Sequence, residues 1–136
     1  MIRELTIPTG TQAELVDITP HVREAVRDSG VITGVCYLFV PHTTAGLTLN
    51  ENWDPSVESD VAMVLDHIVP PDLPYRHSEG NSAAHAKSLL VGTDHFVFIH
   101  GGQLELGQWQ GIFLAEFDGP RHRSIWIKVV CDIDSA

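Results

Sequence analysis

One stretch near the end of the chain decides the fold: residues 96–131 read FVFIHGGQLELGQWQGIFLAEFDGPRHRSIWIKVVC. It contains three runs rich in β-branched and aromatic side chains, the composition typical of β-strands. The runs span residues 96–99, 112–117 and 125–131. Gly101-Gly102 after the first run is a tight hairpin signal, and Asp118-Gly119-Pro120 predicts a turn between the other two. We therefore expect consecutive antiparallel strands in this part of the chain.

Upstream of this stretch, the sequence predicts further strands. They are centred on residues 5–7, 13–16, 31–40 and 47–49. The first and the last of these alternate apolar and polar side chains, as half-buried strands do. Residues 31–40 are instead mostly apolar, with Gly34 as a break, which predicts a buried strand that ends at Pro41.

Three helices are predicted between the strands. Thr19 is expected to cap the first helix with Pro20 at its first position, and Gly30 marks its end. Asp54-Pro55 repeats this pattern, and an apolar stripe behind it predicts a second helix that faces the core. The stripe consists of Val57, Val61, Val64, Leu65 and Ile68. Residues 82–91 predict a third helix closed by Gly92. Together these elements predict an α+β fold, an antiparallel β-sandwich with about three helices.

The composition is that of one globular domain spanning residues 1–136, with 43% hydrophobic and 19% charged residues. Eighteen acidic against eight basic side chains give a net charge of −10, which argues against nucleic acid and against an anionic membrane surface as partners. No apolar stretch approaches the ~18 residues of a membrane span, so a cytoplasmic protein is expected. Five of the eight basic residues follow residue 72, so an anionic ligand is expected in the second half of the chain.

Most motifs of known enzyme classes are missing from the sequence. It has no G-x-x-x-x-G-K-[ST] phosphate loop, no G-x-G-x-x-G opening a helix, no G-x-S-x-G elbow and no H-E-x-x-H. What remains is three polar clusters at the ends of predicted elements, where functional residues are usually held by a scaffold. The clusters are residues 41–46 (PHTTAG), 50–54 (NENWD) and 76–87 (RHSEGNSAAHAK).

The third of these clusters contains the side-chain types of a metal site. His77 lies on the loop that enters the third helix and His85 lies in its first turns, so the two imidazoles can meet only if the loop folds back. With His42 they would form the three-nitrogen set that holds a catalytic zinc. Glu79 is the candidate general acid or base, with Asn81 in a positioning role. The alternative is that the loop is simply solvated and that His85 is an ordinary surface or core residue.

The polar clusters and the stretch around Trp109 resemble the YjbQ-like family, which is often named secondary thiamine-phosphate synthase. The matching segments are PHTTAGLTLNEN (41–52), HSEGNSAAHAK (77–87), GQWQGIF (107–113) and EFDGPR (116–121). One departure is Gln108, where family members more often have threonine. The resemblance implies a jelly-roll-like β-sandwich that assembles as a homotrimer. It also implies a pocket lined by the segments of His42, His77 and His85 and closed by a neighbouring subunit.

The family name implies a reaction that joins a pyrimidine diphosphate to a thiazole phosphate and displaces pyrophosphate. Such a leaving group must be held by cations, which here include a divalent metal, either zinc or the magnesium that accompanies a diphosphate substrate. The predicted substrate-binding residues are Arg76, Lys87 and Arg121, from their charge, and Thr43, Thr44, Trp109 and Gln110, from the matching motifs. The alternative is a non-catalytic trimer that binds a metal or a metabolite in the same pocket.

Overall fold

The computed structural model describes residues 1–133, which form three helices and eight strands. The helices are α1 (Thr19–Ser29), α2 (Pro55–Ile68) and α3 (Ser82–Val91). The strands are β1 (Arg3–Pro8), β2 (Glu14–Asp17), β3 (Gly34–Phe39), β4 (Ala45–Glu51), β5 (Asp94–His100), β6 (Gln103–Leu104), β7 (Gln110–Glu116) and β8 (His122–Cys131). Every element predicted from the sequence is present, and the hairpin at Gly101-Gly102 joins β5 to β6 as expected.

The strands form two antiparallel sheets that face each other. The larger sheet has the order β1-β8-β3-β5-β6 and the smaller one the order β2-β7-β4. Leu38 and Ile127 from the larger sheet share one buried cluster with Leu47 and Leu114 from the smaller sheet, and Val22 of α1 closes this core at one side. Alternate side chains of each strand therefore interdigitate between the sheets. The predicted α+β fold and β-sandwich are confirmed.

The turn at Asp118-Gly119-Pro120 connects the two sheets rather than closing a hairpin. β7 lies in the middle of the smaller sheet, whereas β8 lies between β1 and β3 in the larger one. A Cβ atom at Gly119 would lie 2.3 Å from the carbonyl oxygen of Thr11, so this crossing requires glycine. β8 also begins at His122, three residues before the apolar run that predicted it. The crossing therefore carries residues 118–123 past one end of the sandwich.

The predicted cap of α1 is wrong. Ile18 is the residue that precedes the helix, and no side chain caps it. The buried hydroxyl of Thr19 instead donates to Oδ1 of Asp17 at 2.6 Å and accepts from the backbone N–H of Ile112 at 2.8 Å. Thr19 is thus used to attach the helix to β7, a tertiary contact that the local cap pattern does not reveal. The predicted end of the helix is confirmed, since Gly30 adopts φ 71°.

The prediction for α2 is right about its start and only partly right about its burial. Oδ1 of Asp54 accepts from the backbone N–H of Ser56 at 2.9 Å, and this hydrogen bond holds the pKa of Asp54 below its usual value. Only part of the apolar stripe packs inward: Leu65 is partly buried against a small cluster of Ala84, Ala115 and Phe117, whereas Val64 and Ile68 are both about half exposed. The helix lies over a small cavity and contacts this cluster instead of packing into the main core between the sheets. Among the three helices of residues 1–133, none is long and apolar enough to cross a membrane.

Candidate functional site

An open cleft of about 510 Å³ lies at the end of the sandwich where β7 crosses to β8. Three segments form it: the link from β3 to β4, the loop and first turns of α3, and the crossing itself. Its lining residues are Pro41, His42, Thr43, Thr44, His77, Glu79, Asn81, His85, Asp118, Arg121 and Arg123. Segments more than 30 residues apart in sequence therefore meet here because the sheets bring them to one end of the molecule.

Most of the predicted site residues lie in this one cleft. Those brought together are His42, Thr43, Thr44, His77, Glu79, Asn81, His85 and Arg121. The loop folds back over α3, as convergence of the two histidines requires, and the ring centroids of His77 and His85 are 5.5 Å apart at an angle of 79°. Two imidazoles and the Glu79 carboxyl group thus share one side of the cleft with solvent.

His42 lines the same cleft and is held by the backbone of β8. Its Nε2 atom accepts a hydrogen bond of 2.9 Å from the backbone N–H of Ser124. Burial lowers the pKa of His42, the positive charges of Arg123 and Arg121 lower it further, and the Glu116 carboxylate offsets only part of this effect. The imidazole is therefore held in its neutral form.

A buried ion pair that the sequence analysis did not assign supports the floor of the cleft. Arg123 donates to both carboxylate oxygens of Glu116, and its Nη2 also donates to the hydroxyl of Thr44 at 2.9 Å. Glu116 accepts further hydrogen bonds from Thr9 and from the backbone N–H of Asp118. Burial would raise the pKa of Glu116, but these hydrogen bonds and the charge of Arg123 outweigh it and hold the pKa below its usual value.

Asp118 is a second cleft residue that the sequence analysis did not single out. Its Oδ2 accepts from Nδ2 of Asn81 at 2.8 Å and from Nη2 of Arg121 at 3.0 Å. These two contacts, with that to Asn81 the larger, lower the pKa of Asp118. The carboxylate therefore fixes the orientation of both side chains, and it joins the entry of α3 to the crossing between the sheets.

Four predicted substrate-binding residues lie elsewhere. Lys87 points to the other side of α3, where it pairs with Asp66 in the cavity of about 230 Å³ under α2. Arg76 is exposed and does not line the cleft. The ring of Trp109 contacts that of Trp53, with centroids 5.7 Å apart, and Gln110 accepts from the backbone N–H of Gly107. Their positions do not connect them with the histidines.

The predicted three-histidine metal set is not assembled. Across residues 1–133, no group of three or more His, Cys, Asp or Glu side chains is arranged to hold a metal ion. In addition, a neutral imidazole has one nitrogen lone pair, and that of His42 faces the N–H of Ser124. His77 and His85 are the two imidazoles of the cleft whose rings are in contact.

A family model described as "UPF0047 protein YjbQ-like" matches residues 3–132 of the sequence. The chain belongs to this family. A UPF0047 protein of Methanocaldococcus jannaschii is 48% identical over 132 residues, which cover 97% of this chain and 96% of that protein. YugU of Bacillus subtilis is 44% identical over 131 residues, 96% of this chain and 99% of that protein.

Solved structures of the YjbQ-like family have the same fold. A family member from Clostridium acetobutylicum superposes with a TM-score of 0.92 at 45% identity, covering 94% of this chain and 99% of that one. A conserved hypothetical protein from Thermus thermophilus gives a TM-score of 0.88 at 46% identity, with the same coverage. The YjbQ-like sandwich is therefore the scaffold that brings the cleft residues together in this chain.

Proposed function

We propose that the cleft binds a small phosphorylated metabolite and acts on it, with thiamine-phosphate synthesis as the reaction to be tested first. The observation that carries this proposal is the convergence of two arginines, three histidines and Glu79 in one open cleft. Arginine is well suited to phosphate recognition, and imidazole and carboxyl groups are the usual acids and bases of catalysis.

The charges in the cleft support a role for a divalent metal. Arg123 and Arg121 are each paired with a carboxylate, Glu116 and Asp118 respectively, so they can donate hydrogen bonds to a phosphate but do not balance the full charge of a diphosphate. Zinc at the His77–His85 pair, or magnesium bound through the diphosphate oxygens, would supply that charge and would hold the leaving group. In the synthesis, the bond between carbon and diphosphate oxygen breaks as the bond to the thiazole ring forms. Glu79 would give a proton to the departing pyrophosphate.

Phosphate binding is the most direct test of this proposal. Calorimetric titration with inorganic phosphate and pyrophosphate should show binding to the wild-type protein and an affinity about tenfold lower for Arg121→Ala, since that variant loses one charge-assisted contact. Lys87→Ala is the matched control, because Lys87 lies in the cavity under α2 and its loss should leave the affinity unchanged. If the wild-type protein binds neither anion, the proposal is rejected. If Arg121→Ala and Lys87→Ala lose the same affinity, the anion does not bind in the cleft.

The two versions of the function differ in turnover. Incubation with the pyrimidine diphosphate and the thiazole phosphate, with magnesium or zinc added, should release pyrophosphate if the protein is a synthase. The second version is a non-catalytic protein that binds a metal or a metabolite, and the observation that supports it is the His77–His85 ring pair. This version is favoured if the pyrimidine diphosphate and the thiazole phosphate both bind in calorimetry while no pyrophosphate or thiamine phosphate appears.

We also propose that the chain assembles as a homotrimer through the outer face of the larger sheet. Five aromatic side chains of β3, β5 and β8 are exposed there, which is unusual for a surface in contact with water. They are Tyr37, Phe39, Phe96, Phe98 and Trp126. Some of them also pack on each other, as Phe39 does on Trp126, with ring centroids 5.7 Å apart.

The oligomeric state is measured by light scattering. The wild-type protein should have three times the 15.0 kDa mass of the chain, and Phe96→Glu should reduce the mass because it places a charge in the aromatic face. Ile32→Glu is the control, since Ile32 is equally exposed but lies outside this face. A monomeric wild type would reject the trimer, and a trimeric Phe96→Glu variant would reject this face as its interface.

A further inference from the structure

The two ring nitrogens of His42 have different tasks. Nε2 accepts a hydrogen bond from the backbone N–H of Ser124. A backbone N–H can only donate, so the direction of this hydrogen bond is fixed. A neutral imidazole has one lone-pair nitrogen and one N–H nitrogen, so the proton must lie on Nδ1. The backbone of β8 therefore selects the tautomer of this histidine without the help of a metal or a carboxylate.

The Nδ1–H group reaches solvent in the cleft. Oδ1 of Asn81 is the one buried side-chain nitrogen or oxygen that lacks a hydrogen-bond partner within the described part of the chain. Nδ1 of His42 donates to no group there either, so it must contact solvent, and His42 lines the cleft. His42 thus presents a hydrogen-bond donor to any molecule that enters.

Arg123 presents a second donor by the same reasoning. Its Nε and Nη2 atoms are committed to Glu116 and Thr44, whereas Nη1 donates to nothing between residues 1 and 133. The side chain is only 4% exposed, so its guanidinium is held rigidly at the floor of the cleft with one edge open. Donors that are fixed before binding cost little entropy when a ligand arrives.

We propose that His42 is an anion-binding residue rather than a metal ligand: its Nδ1–H and the Nη1 edge of Arg123 together hold a phosphoryl oxygen of the ligand. The cleft then has two sides, one that holds phosphate and one, formed by His77, His85 and Glu79, that is left for a metal or for proton transfer. This inference rests on the proposed function, since it requires that the ligand carry a phosphate group.

The tautomer can be read without any substitution. A long-range proton–nitrogen NMR spectrum of the histidine rings at neutral pH should show His42 with the proton on Nδ1 and a bare Nε2 nitrogen. A proton on Nε2 would overturn the proposal, because Nδ1 would then be an acceptor that repels an anion.

Two substitutions separate the donor from the acceptor of His42. In His42→Asn the amide nitrogen lies as many bonds from Cβ as Nδ1 does, so the donor is kept. In His42→Gln the amide oxygen replaces Nε2, so the partner of Ser124 is kept, while the amide nitrogen lies one bond further from Cβ than Nδ1 and the donor at the Nδ1 position is lost. Titration with inorganic phosphate and pyrophosphate should give an affinity within about threefold of wild type for His42→Asn and at least about tenfold lower for His42→Gln.

The outcomes distinguish this proposal from the function on which it rests. If the wild type binds phosphate and His42→Gln binds it equally well, the anion role of His42 is rejected while the proposed function stands. If the wild type binds neither phosphate nor pyrophosphate, both are rejected. Loss of bound zinc from His42→Gln with full phosphate affinity would show instead that His42 is a metal ligand.

Discussion

Replacing Arg123 with methionine should lower the free energy of unfolding by about 3–5 kcal/mol, because it leaves the Glu116 carboxylate buried without its charged partner. Glu116 is fully buried, and its other hydrogen bonds, from Thr9 and two backbone N–H groups, cannot replace a guanidinium. Denaturant unfolding followed by circular dichroism measures the change directly.

Arg3→Met is the matched control for this experiment. The ion pair of Arg3 with Asp28 has a normal length of 2.7 Å, but both side chains are exposed. Such pairs contribute only about 0–1 kcal/mol, so the control should unfold almost as the wild type does. Equal losses of stability in the two variants would contradict the view that burial makes the Arg123–Glu116 pair important.

Lowering the pH should weaken the Arg123–Glu116 ion pair. The pKa of Glu116 in the folded protein lies below the usual 4.5, so the unfolded chain binds a proton that the folded chain does not. The stabilisation is therefore complete above pH 4.5 and is lost as the pH falls through the lower pKa of the folded state. The difference in melting temperature between wild type and Glu116→Gln should shrink over that range.

The strands and turns could be predicted because their signals are local. Alternation of apolar side chains, glycine pairs and proline each act over a few residues, and all the predicted strands are found. The partners of the strands could not be predicted this way. The predicted turn at Asp118-Gly119-Pro120 is present, yet it joins β7 and β8 across two sheets, and only long-range packing decides that.

The second helix shows a different limit. Its apolar stripe is present in the structure. Such a stripe indicates that one face of the helix packs against another apolar surface, but it does not identify that surface. In the folded chain the core between the sheets is already closed by α1 and by its own side chains. α2 is therefore left outside this core: it reaches only the small cluster around Phe117 through Leu65, and Met63, Val64 and Ile68 stay exposed.

The site could be predicted where residues stand in polar clusters and not where they stand in strands. His42, His77 and His85 lie at the ends of elements, so their side chains were easy to single out. Glu116 and Arg123 were hidden inside β7 and β8, although a signal existed. Each is in phase with core-facing neighbours, Glu116 with Leu114 and Arg123 with Ile125, and two opposite charges in such positions predict a buried pair.

The prediction that Lys87 binds substrate rested on its charge alone, and the structure places it outside the cleft. A count of basic residues says which half of the chain can meet an anion, but it does not say to which side of a helix each one points. Lys87 follows His85 by two residues, and residues so spaced on a helix do not share a face. The helix period therefore already separated Lys87 from the cleft, and its pairing with Asp66 under α2 accords with that period.

Gly46→Ala should damage stability and the cleft together. A Cβ atom at this position would lie 2.6 Å from the carbonyl oxygen of Gly92 and 3.0 Å from Cγ1 of Val91, so the end of α3 would have to move away from β4. Overpacking of this kind costs about 1–3 kcal/mol. The movement would also weaken the contacts that join the two elements, in which Leu47 donates to Gly92 at 2.9 Å and Ser88 to Ala45 at 2.6 Å.

These contacts set the width of the cleft, because α3 carries His85 and the segment before β4 carries His42 and Thr44. We therefore expect Gly46→Ala to lower phosphate affinity as well as the unfolding midpoint. Gly10→Ala is the control, since its Cβ would meet only the flexible carboxyl group of Glu14 at 3.7 Å and should change stability by less than about 0.5 kcal/mol. If Gly46→Ala loses stability but binds phosphate as the wild type does, the cleft does not depend on the close approach of α3 to β4.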